Sequence, residues 1–173
     1  MKLPYQIRNI DEVYGVYAIE DLPLGSKVMK LYGKYVKEPS KYTIQIGERH
    51  LDSAYGSRVN HSCSANTMLM IAINTLDGEE GLVPWYSRIN GTLTSMVIGN
   101  PYPVLVATTS ISIEDEITFN YNHSESILAS PFKCSCCGKW IRGRDYKREQ
   151  QKSMSIYEHR GYEWAMSLHY GIT

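Results

Sequence analysis

The stretch that decides the fold is Arg58-Val-Asn-His-Ser-Cys63, with Asn66 just beyond it. A second stretch, Glu114-Asp-Glu-Ile-Thr-Phe-Asn-Tyr121, follows later in the chain. An Asn-His-Ser triplet alone is weak evidence of function, because such triplets also occur in turns and as glycosylation acceptors. The specificity of the signal comes from the order and spacing of these stretches together with a cysteine cluster that follows them.

That cluster is Phe132-Lys-Cys-Ser-Cys-Cys-Gly138, followed by Arg142-Gly143. In this order the three stretches resemble the SET-domain signature of protein lysine methyltransferases and that family's post-SET cysteine segment. The opening of the chain is also similar to the family. Tyr14-Gly-Val-Tyr-Ala18 and Leu22-Pro-Leu-Gly25 resemble its Gly-x-Gly-Val-x-Ala and Ile-x-x-Gly elements, although Val13 stands where the first glycine would be.

The resemblance implies a mainly β SET fold, made of several small curved sheets around a knot-like crossing of the C-terminal segment. At that crossing Asn60-His61 would meet Phe119-Asn-Tyr121. The predicted divisions are a SET domain (1–131), a post-SET-like segment (132–143) and a C-terminal helical extension (144–173), together forming one structural unit.

The residue pattern agrees with a β-rich core. Seven short segments are rich in β-branched, aromatic or alternating apolar residues, which is typical of strands. They are Tyr14–Ile19, Lys27–Tyr32, Tyr42–Ile46, Thr67–Ile73, Leu93–Ile98, Val104–Thr108 and Glu116–Phe119. From Arg144 to His159 the residues favour a helix, with Tyr146, Met154 and Tyr157 near helical spacing.

Composition limits the class of protein. A chain of 173 residues with 43% apolar residues is long enough for one domain with a core. Its 18 acidic and 18 basic residues cancel, so we expect no direct nucleic-acid binding. A local basic run, Lys139 to Arg148, fits either a solvated helix face or a docking strip for an anionic partner.

The sequence contains no apolar run long enough for a signal peptide or a membrane helix. We therefore expect an intracellular protein of the nucleus or cytoplasm, or of a host cell, without a membrane partner.

All four cysteines lie in the motifs. Two disulfides in a secreted protein are an alternative, which the triplets at Asn60, Asn90 and Asn122 would fit as glycosylation acceptors. Three cysteines within four residues close no useful loop, however, and this disfavours a disulfide framework.

In the family, a Cys-x-Cys pair and a third cysteine before Arg-Gly join the cysteine of Asn-His-Ser-Cys in a zinc site. Here Ile141 stands at the third position. The resemblance therefore suggests zinc bound by the four cysteines of this chain, Cys63, Cys134, Cys136 and Cys137. The alternative is a metal-free segment that closes over the cofactor through Phe132 or Trp140.

The activity implied by the resemblance is methyl transfer from S-adenosylmethionine to a lysine of a protein or peptide, with a histone tail as one candidate. Such an in-line displacement needs alignment, which can contribute on the order of 7–11 kcal/mol. It also needs a neutral amine, whereas a free lysine with a pKa of about 10.4 is protonated at neutral pH. A narrow aromatic channel disfavours the ammonium by desolvation.

The resemblance also assigns roles to residues. Tyr121 would orient the amine, and Phe119 occupies a position similar to a product switch, where tyrosine in place of phenylalanine restricts further methylation. The cofactor would contact Gly15, Tyr17, Arg58, Asn60, His61, Tyr121 and Phe132. His61 can equally be a buried histidine satisfied by backbone groups, and Phe132 can equally be a core residue.

The substrate groove is less clear from the sequence. Tyr42, Tyr55 and Tyr86 are candidates for the lysine channel, and Leu76 to Gly91 resembles an extended hairpin that could border the peptide. Two other classes of function stay open: a catalytically idle SET-like binding module, and a small zinc-stabilised interaction domain.

Overall fold

The computed structural model describes residues 2–47, 49–74, 80–84 and 101–144. Over these ranges the chain is almost entirely strands and loops. The strands are β1 (Tyr5–Ile10), β2 (Val13–Ala18), β3 (Lys27–Lys30), β4 (Lys34–Val36), β5 (Thr43–Ile46), β6 (Arg49–Asp52), β7 (Asn60–His61), β8 (Thr67–Asn74), β9 (Glu80–Pro84), β10 (Tyr102–Ala107), β11 (Glu116–Phe119), β12 (Phe132–Lys133) and β13 (Trp140–Ile141). A 3-10 turn covers Gly56–Arg58 and one short helix, α1, covers Tyr121–Ser124.

Three sheets organise these strands. The largest has eight, in the order β1-β2-β11-β8-β10-β3, with β7 paired to β11 and β9 paired to β8. The others are β4-β6-β5 and the hairpin β12-β13. The protein is therefore mainly β, with several curved sheets, one of them nearly closed, as the sequence predicts.

Two neighbouring strands, β8 and β10, form the centre of the large sheet and are buried on both faces. Leu69, Ile71 and Leu105 face the main core, whereas Met70 and Val104 belong to a second apolar cluster. Successive side chains of a strand point to opposite faces, so a continuous apolar run fills both clusters. The run of apolar residues in the sequence is explained by this double burial.

Six of the seven strands predicted from the sequence are present with small shifts of their bounds: β2, β3, β5, β8, β10 and β11. The seventh, Leu93–Ile98, and the helix predicted from Arg144 onward lie outside the described residues, apart from Arg144 itself. Strands β1, β4, β6, β7, β12 and β13 were not predicted, and β9 lies within the hairpin predicted for Leu76 to Gly91. In β1 only Tyr5 is buried, so its sequence lacks the alternation that marks a strand.

The two motif stretches meet in the large sheet. β7 runs parallel to β11, with Asn60 opposite Thr118 and His61 opposite Phe119. Asn66 stabilises the same pairing through β11. Its side-chain amide donates to the Glu116 carbonyl at 2.8 Å, and its Oδ1 accepts from the Thr118 N–H at 2.9 Å. The predicted meeting of the motifs is thus observed, while the knot-like threading stays a prediction.

Within the part of the chain that the structure describes, no helix is long and apolar enough to span a membrane.

Candidate functional site

A pocket of about 180 Å³ opens beside the junction of the two motifs. Three parts of the chain form its wall: the start of β5 with the loop before it, the 3-10 turn, and the segment from β11 to β12. Its lining residues are Ser40, Lys41, Tyr42, Thr43, Ile44, Gly56, Ser57, Phe119, Tyr121, Glu125, Leu128, Ala129, Ser130 and Phe132. Both predicted catalytic residues, Phe119 and Tyr121, therefore face the same cavity.

Tyr121 begins α1 and sits among aromatic rings. Ring centroids of Phe119, His61 and Phe132 lie 4.8, 5.3 and 6.0 Å from that of Tyr121. Its hydroxyl donates a 2.7 Å hydrogen bond to the Val59 carbonyl. Burial, reinforced by nearby carboxylates, raises the pKa of Tyr121 well above its usual range, so the phenol stays protonated.

His61 orients the start of α1. Its Nδ1 accepts a hydrogen bond from the Tyr121 N–H at 3.1 Å, and its Nε2 lies 3.4 Å from the Cys63 sulfur. Burial, with a smaller effect from His123, lowers the pKa of His61 to about 4, so the ring is neutral at neutral pH. In a neutral ring whose Nδ1 accepts, the proton is on Nε2. The structural role foreseen for His61, satisfaction by a backbone group, is therefore present.

Asn60 joins β7 to the opening hairpin of β1 and β2. Its side-chain amide donates to the Tyr14 carbonyl at 2.8 Å and to Oε1 of Glu116 at 2.7 Å. A Cβ on Gly15 would lie 2.7 Å from that same oxygen and 2.9 Å from the Tyr17 ring, so a larger residue here would displace both side chains. The structure thus brings Gly15, Tyr17 and Asn60 around one carboxylate, Glu116, whose role the sequence did not reveal.

Arg58 lies close to this group, with its guanidinium 4.5 Å from the ring centroid of Tyr14 and 5.8 Å from that of Tyr42. Among the three tyrosines considered for the lysine channel, Tyr42 lines the pocket. Tyr55 does not; it is exposed and packs edge-on against Tyr5, with ring centroids 6.0 Å apart. The third candidate, Tyr86, lies outside the described residues.

The hairpin predicted for Leu76 to Gly91 is described only over β9, which pairs antiparallel with β8.

The four cysteines form one cluster, with all four sulfur atoms within 4.8 Å of one another. Sulfur to sulfur distances are 3.7 Å for Cys63 to Cys134, 3.5 Å for Cys63 to Cys137 and 2.9 Å for Cys134 to Cys136. In a tetrahedral zinc site with bonds of about 2.3 Å, sulfurs lie about 3.8 Å apart. All four cysteines are free of disulfides, and the cluster could hold a metal.

A tight turn explains how adjacent cysteines share the cluster. The Gly138 N–H donates to the Cys134 carbonyl at 2.8 Å, and the Cys134 N–H donates to the Lys139 carbonyl at 2.8 Å. Gly138 has φ +67°, a left-handed conformation that glycine adopts without strain. The turn lets Cys137 join the cluster, while Ile141 at the family's third position is 1% exposed and belongs to the core.

The aromatic residues of this hairpin differ in position. Phe132 packs edge-on against His61, with centroids 5.6 Å apart, and lines the pocket. Trp140 is exposed, and the Arg142 guanidinium lies 5.1 Å from the centroid of the Trp140 ring. Of the two residues considered for closing the site, Phe132 is the one that reaches it.

Sequence reasoning missed Glu125, which follows α1 and lines the pocket although it is only 7% exposed. Burial raises its pKa to about 7. The residue is one of 18 acidic residues, and only its position one helical turn after Tyr121 distinguishes it. That spacing could have pointed to a carboxyl group near the tyrosine.

No protein-family model matches the chain, and no curated protein matches it. Among solved structures, a Plasmodium falciparum protein to which histone methyltransferase activity has been attributed aligns with TM-score 0.48 and 20% identity, over 72% of this chain and 97% of that one.

KRYPTONITE in complex with mCHH DNA, an H3(1-15) peptide and SAH aligns with TM-score 0.53 and 18% identity, over 79% of this chain and 28% of KRYPTONITE. KRYPTONITE in complex with mCHG DNA and SAH gives TM-score 0.53 and 19% identity, again over 79% and 28%. This chain thus spans about a quarter of the length of KRYPTONITE. The likeness to KRYPTONITE, at this identity, shows that the chain has a similar, SET-like fold.

Proposed function

We propose that the protein is an S-adenosylmethionine-dependent protein lysine N-methyltransferase. The observation that carries the proposal is the parallel pairing of β7 with β11, which joins Asn60–His61 to the strand that ends at Phe119. Directly after that strand, Tyr121 enters a pocket with aromatic walls. The SET-like fold supports the same reaction class.

The pocket has the properties that a lysine channel requires. Phe119, Tyr121 and Phe132 supply an apolar wall that disfavours a charged ammonium and favours the neutral amine. Tyr121 remains a phenol because burial raises its pKa, so its hydroxyl supplies a fixed dipole rather than a negative charge. In this role Tyr121 orients the amine, and Phe119 sets the space available at the channel end.

The residues around Glu116 fit a cofactor that carries an amino acid moiety. The Glu116 carboxylate and the Asn60 side chain suit an ammonium group, and the Arg58 guanidinium suits a carboxylate. Gly15 keeps the backbone close because a side chain there would collide with Glu116 and Tyr17. When bound, S-adenosylmethionine supplies an activated methyl group. The proposed binding residues remain Gly15, Tyr17, Arg58, Asn60, His61, Tyr121 and Phe132.

The proposed substrate is a protein or peptide that carries a lysine, with a histone tail as one candidate. KRYPTONITE has been solved with an H3(1-15) peptide, which supports a peptide substrate for a protein of similar fold. The balanced charge of this chain, 18 acidic against 18 basic residues, gives no general attraction for nucleic acid.

Zinc is the proposed structural metal. The donor set of Cys63, Cys134, Cys136 and Cys137 consists of four thiols, the ligands typical of structural zinc sites. The hydrogen bond from Cys136 lowers the pKa of Cys134 to about 7, whereas burial, together with the neighbouring thiols, raises the pKa of Cys63. The thiol cluster without a metal therefore favours a thiolate at Cys134 and not at Cys63. Bound there, zinc would tie β7 to the β12-β13 hairpin that carries Phe132.

The deciding experiment is incubation with an isotopically labelled methyl donor, a histone panel and a total protein lysate, followed by mass spectrometry of the modified residue. Methylation of a lysine is the expected result. Saturable cofactor binding without turnover would instead indicate an idle SET-like binding module. Absence of any thermal shift with S-adenosylmethionine or SAH would favour a zinc-stabilised interaction domain.

A further inference from the structure

The pocket contains a carboxylate that the proposed roles do not use. Glu125 is 7% exposed and lines the cavity together with Phe119, Tyr121 and Phe132. An isolated carboxylate is rarely buried without a charged partner, because removing it from water is costly. Neither ion pair formed within the described ranges, Arg8–Glu114 and Lys27–Glu80, includes Glu125.

Hydrogen bonds from neighbouring residues hold the Glu125 side chain in place through one of its two carboxyl oxygens, Oε1. Oε1 accepts from the Gln45 N–H at 2.9 Å and from the Ser124 hydroxyl at 3.3 Å. The Glu125 N–H donates to the Tyr121 carbonyl at 2.8 Å, and the Glu125 carbonyl accepts from the Arg144 N–H at 2.6 Å. In the part of the chain that the structure describes, these side-chain bonds all go to Oε1 and none goes to Oε2.

A second contact makes this arrangement rigid. The Gln45 side chain, through Oε1, accepts a 2.6 Å hydrogen bond from the Ser126 N–H. Strand β5 therefore also holds the backbone of the residue that follows Glu125. Groups fixed before a ligand arrives need no reordering when it binds. Glu125 is thus a pre-positioned carboxyl group in a cavity whose wall combines the aromatic residues Tyr42, Phe119, Tyr121 and Phe132 with small polar residues and Lys41.

We propose that Glu125 receives the side-chain ammonium of the substrate lysine in this pocket and accepts one of its protons. The inference rests on the proposed function and adds a catalytic residue to it. The proton leaves the substrate Nζ for a Glu125 carboxylate oxygen, the N–H electron pair stays on Nζ as the lone pair, and the carboxylate becomes a neutral acid. The ion pair and the neutral pair have the same total charge, so no net charge is buried by the transfer.

Burial makes this transfer more favourable than it is in water. The same desolvation that raises the pKa of Glu125 to about 7 also disfavours an ammonium in the cavity. Both effects favour the neutral amine and the neutral acid over the ion pair. Tyr121 then orients an amine that Glu125 has already deprotonated.

The test uses the full chain and a probe for the amine, n-butylammonium chloride, with 1-butanol as its neutral counterpart. Side-chain carboxyl 13C signals are followed by NMR, and the Glu125 signal is identified by its absence in Glu125→Gln. We expect n-butylammonium, but not 1-butanol, to shift the Glu125 signal saturably. The dissociation constant should rise at least about tenfold in Glu125→Gln, the effect of losing a charged partner.

The matched control is Glu20→Gln, which removes an exposed carboxylate that is not part of the pocket. It should bind n-butylammonium as the wild type does. A Glu125 signal that does not move, or equal affinity in Glu125→Gln and wild type, would overturn the proposal. If Glu125→Gln does not fold, the wild-type titration still decides the question, with Glu125→Asp used to assign the signal.

Methyl transfer measured in parallel separates this inference from the proposed function. Wild-type activity with a loss of at least about tenfold in kcat for Glu125→Gln supports both. Wild-type activity that Glu125→Gln retains within about twofold overturns the role of Glu125 and leaves the methyltransferase proposal intact. Amine binding that depends on Glu125, without methyl transfer by the wild type, supports the amine site and counts against the proposed reaction.

Discussion

The backbone N–H of Tyr121 donates a 3.1 Å hydrogen bond to Nδ1 of His61. This bond joins the residue that ends one motif stretch to the centre of the other. It also fixes the His61 ring, whose Nε2 faces the Cys63 sulfur. The His61 ring therefore contacts both Tyr121, which lines the pocket, and Cys63, which belongs to the cysteine cluster.

Tyr121→Phe should lower turnover by at least about two orders of magnitude, because a positioned polar group is removed from the amine. The Val59 carbonyl loses its partner, so stability should fall by about 1 kcal/mol while the fold and cofactor binding persist. Steady-state kinetics and calorimetric cofactor titration provide the measurements. Tyr55→Phe, on an exposed ring outside the pocket, is the matched control, and near-normal turnover of Tyr121→Phe would remove Tyr121 from catalysis.

Phe119→Tyr should bias the product towards monomethyl-lysine. The Phe119 ring lies 4.8 Å from that of Tyr121, and a hydroxyl added there can retain a water in the space that further methylation needs. The ratio of mono-, di- and trimethylated peptide at matched conversion measures the effect. An unchanged ratio would mean that other residues shape the channel end.

The cysteine cluster should bind about one zinc per chain in protein purified without added metal, as four converging thiolates do. Cys137→Ser should reduce the metal content, and chelation should destabilise the region around β12 and β13 because structural zinc contributes directly to folding. Elemental analysis and thermal unfolding measure both effects. Ser135→Ala, an exposed change in the same turn, is the control; zinc below about a tenth of an equivalent in the wild type would exclude the site.

Glu125→Gln should stabilise the protein at high pH. Burial raises the folded-state pKa of Glu125 to about 7. Its ionisation therefore destabilises the folded state as the pH rises from the ordinary glutamate pKa through 7, by up to on the order of 3 kcal/mol. At pH about 8 the variant should be more stable than the wild type, and the difference should disappear below pH about 4.

Urea unfolding of both proteins at several pH values measures this difference. Taking the difference also removes the contributions that His50, His61 and His123 make to both curves. Equal unfolding free energies of the two proteins at high pH would show that ionisation of Glu125 does not destabilise the folded state.

The meeting of the motifs could be predicted because the signature residues resemble those of a family in which the corresponding stretches meet. The cysteine pattern also suggested which four cysteines cluster, on the condition of a sharp local turn, and the turn at Gly138 meets that condition. Ile141 illustrates the same limit. Its burial in the core becomes visible only when the hairpin is placed against the rest of the protein.

Glu125 could not be recognised from the sequence because its environment is made by distant residues. The backbone N–H of Gln45, 80 positions away, donates to the Glu125 carboxyl group, and the aromatic residues of the pocket come from segments far apart in the sequence. Strand β6 was missed for a related reason. His50 is buried there among charged neighbours, so the segment has a polar sequence although it forms the middle of a three-stranded sheet.

The bond between Tyr121 and His61 spans 60 positions of sequence, which has a consequence for how the protein is made. Contacts between distant residues form slowly, because the intervening loop loses entropy before the contact stabilises it. A growing polypeptide that has not yet reached Tyr121 cannot contain the pocket, whatever its earlier strands have achieved. During biosynthesis the pocket can therefore form only after nearly all strands of the large sheet have been made.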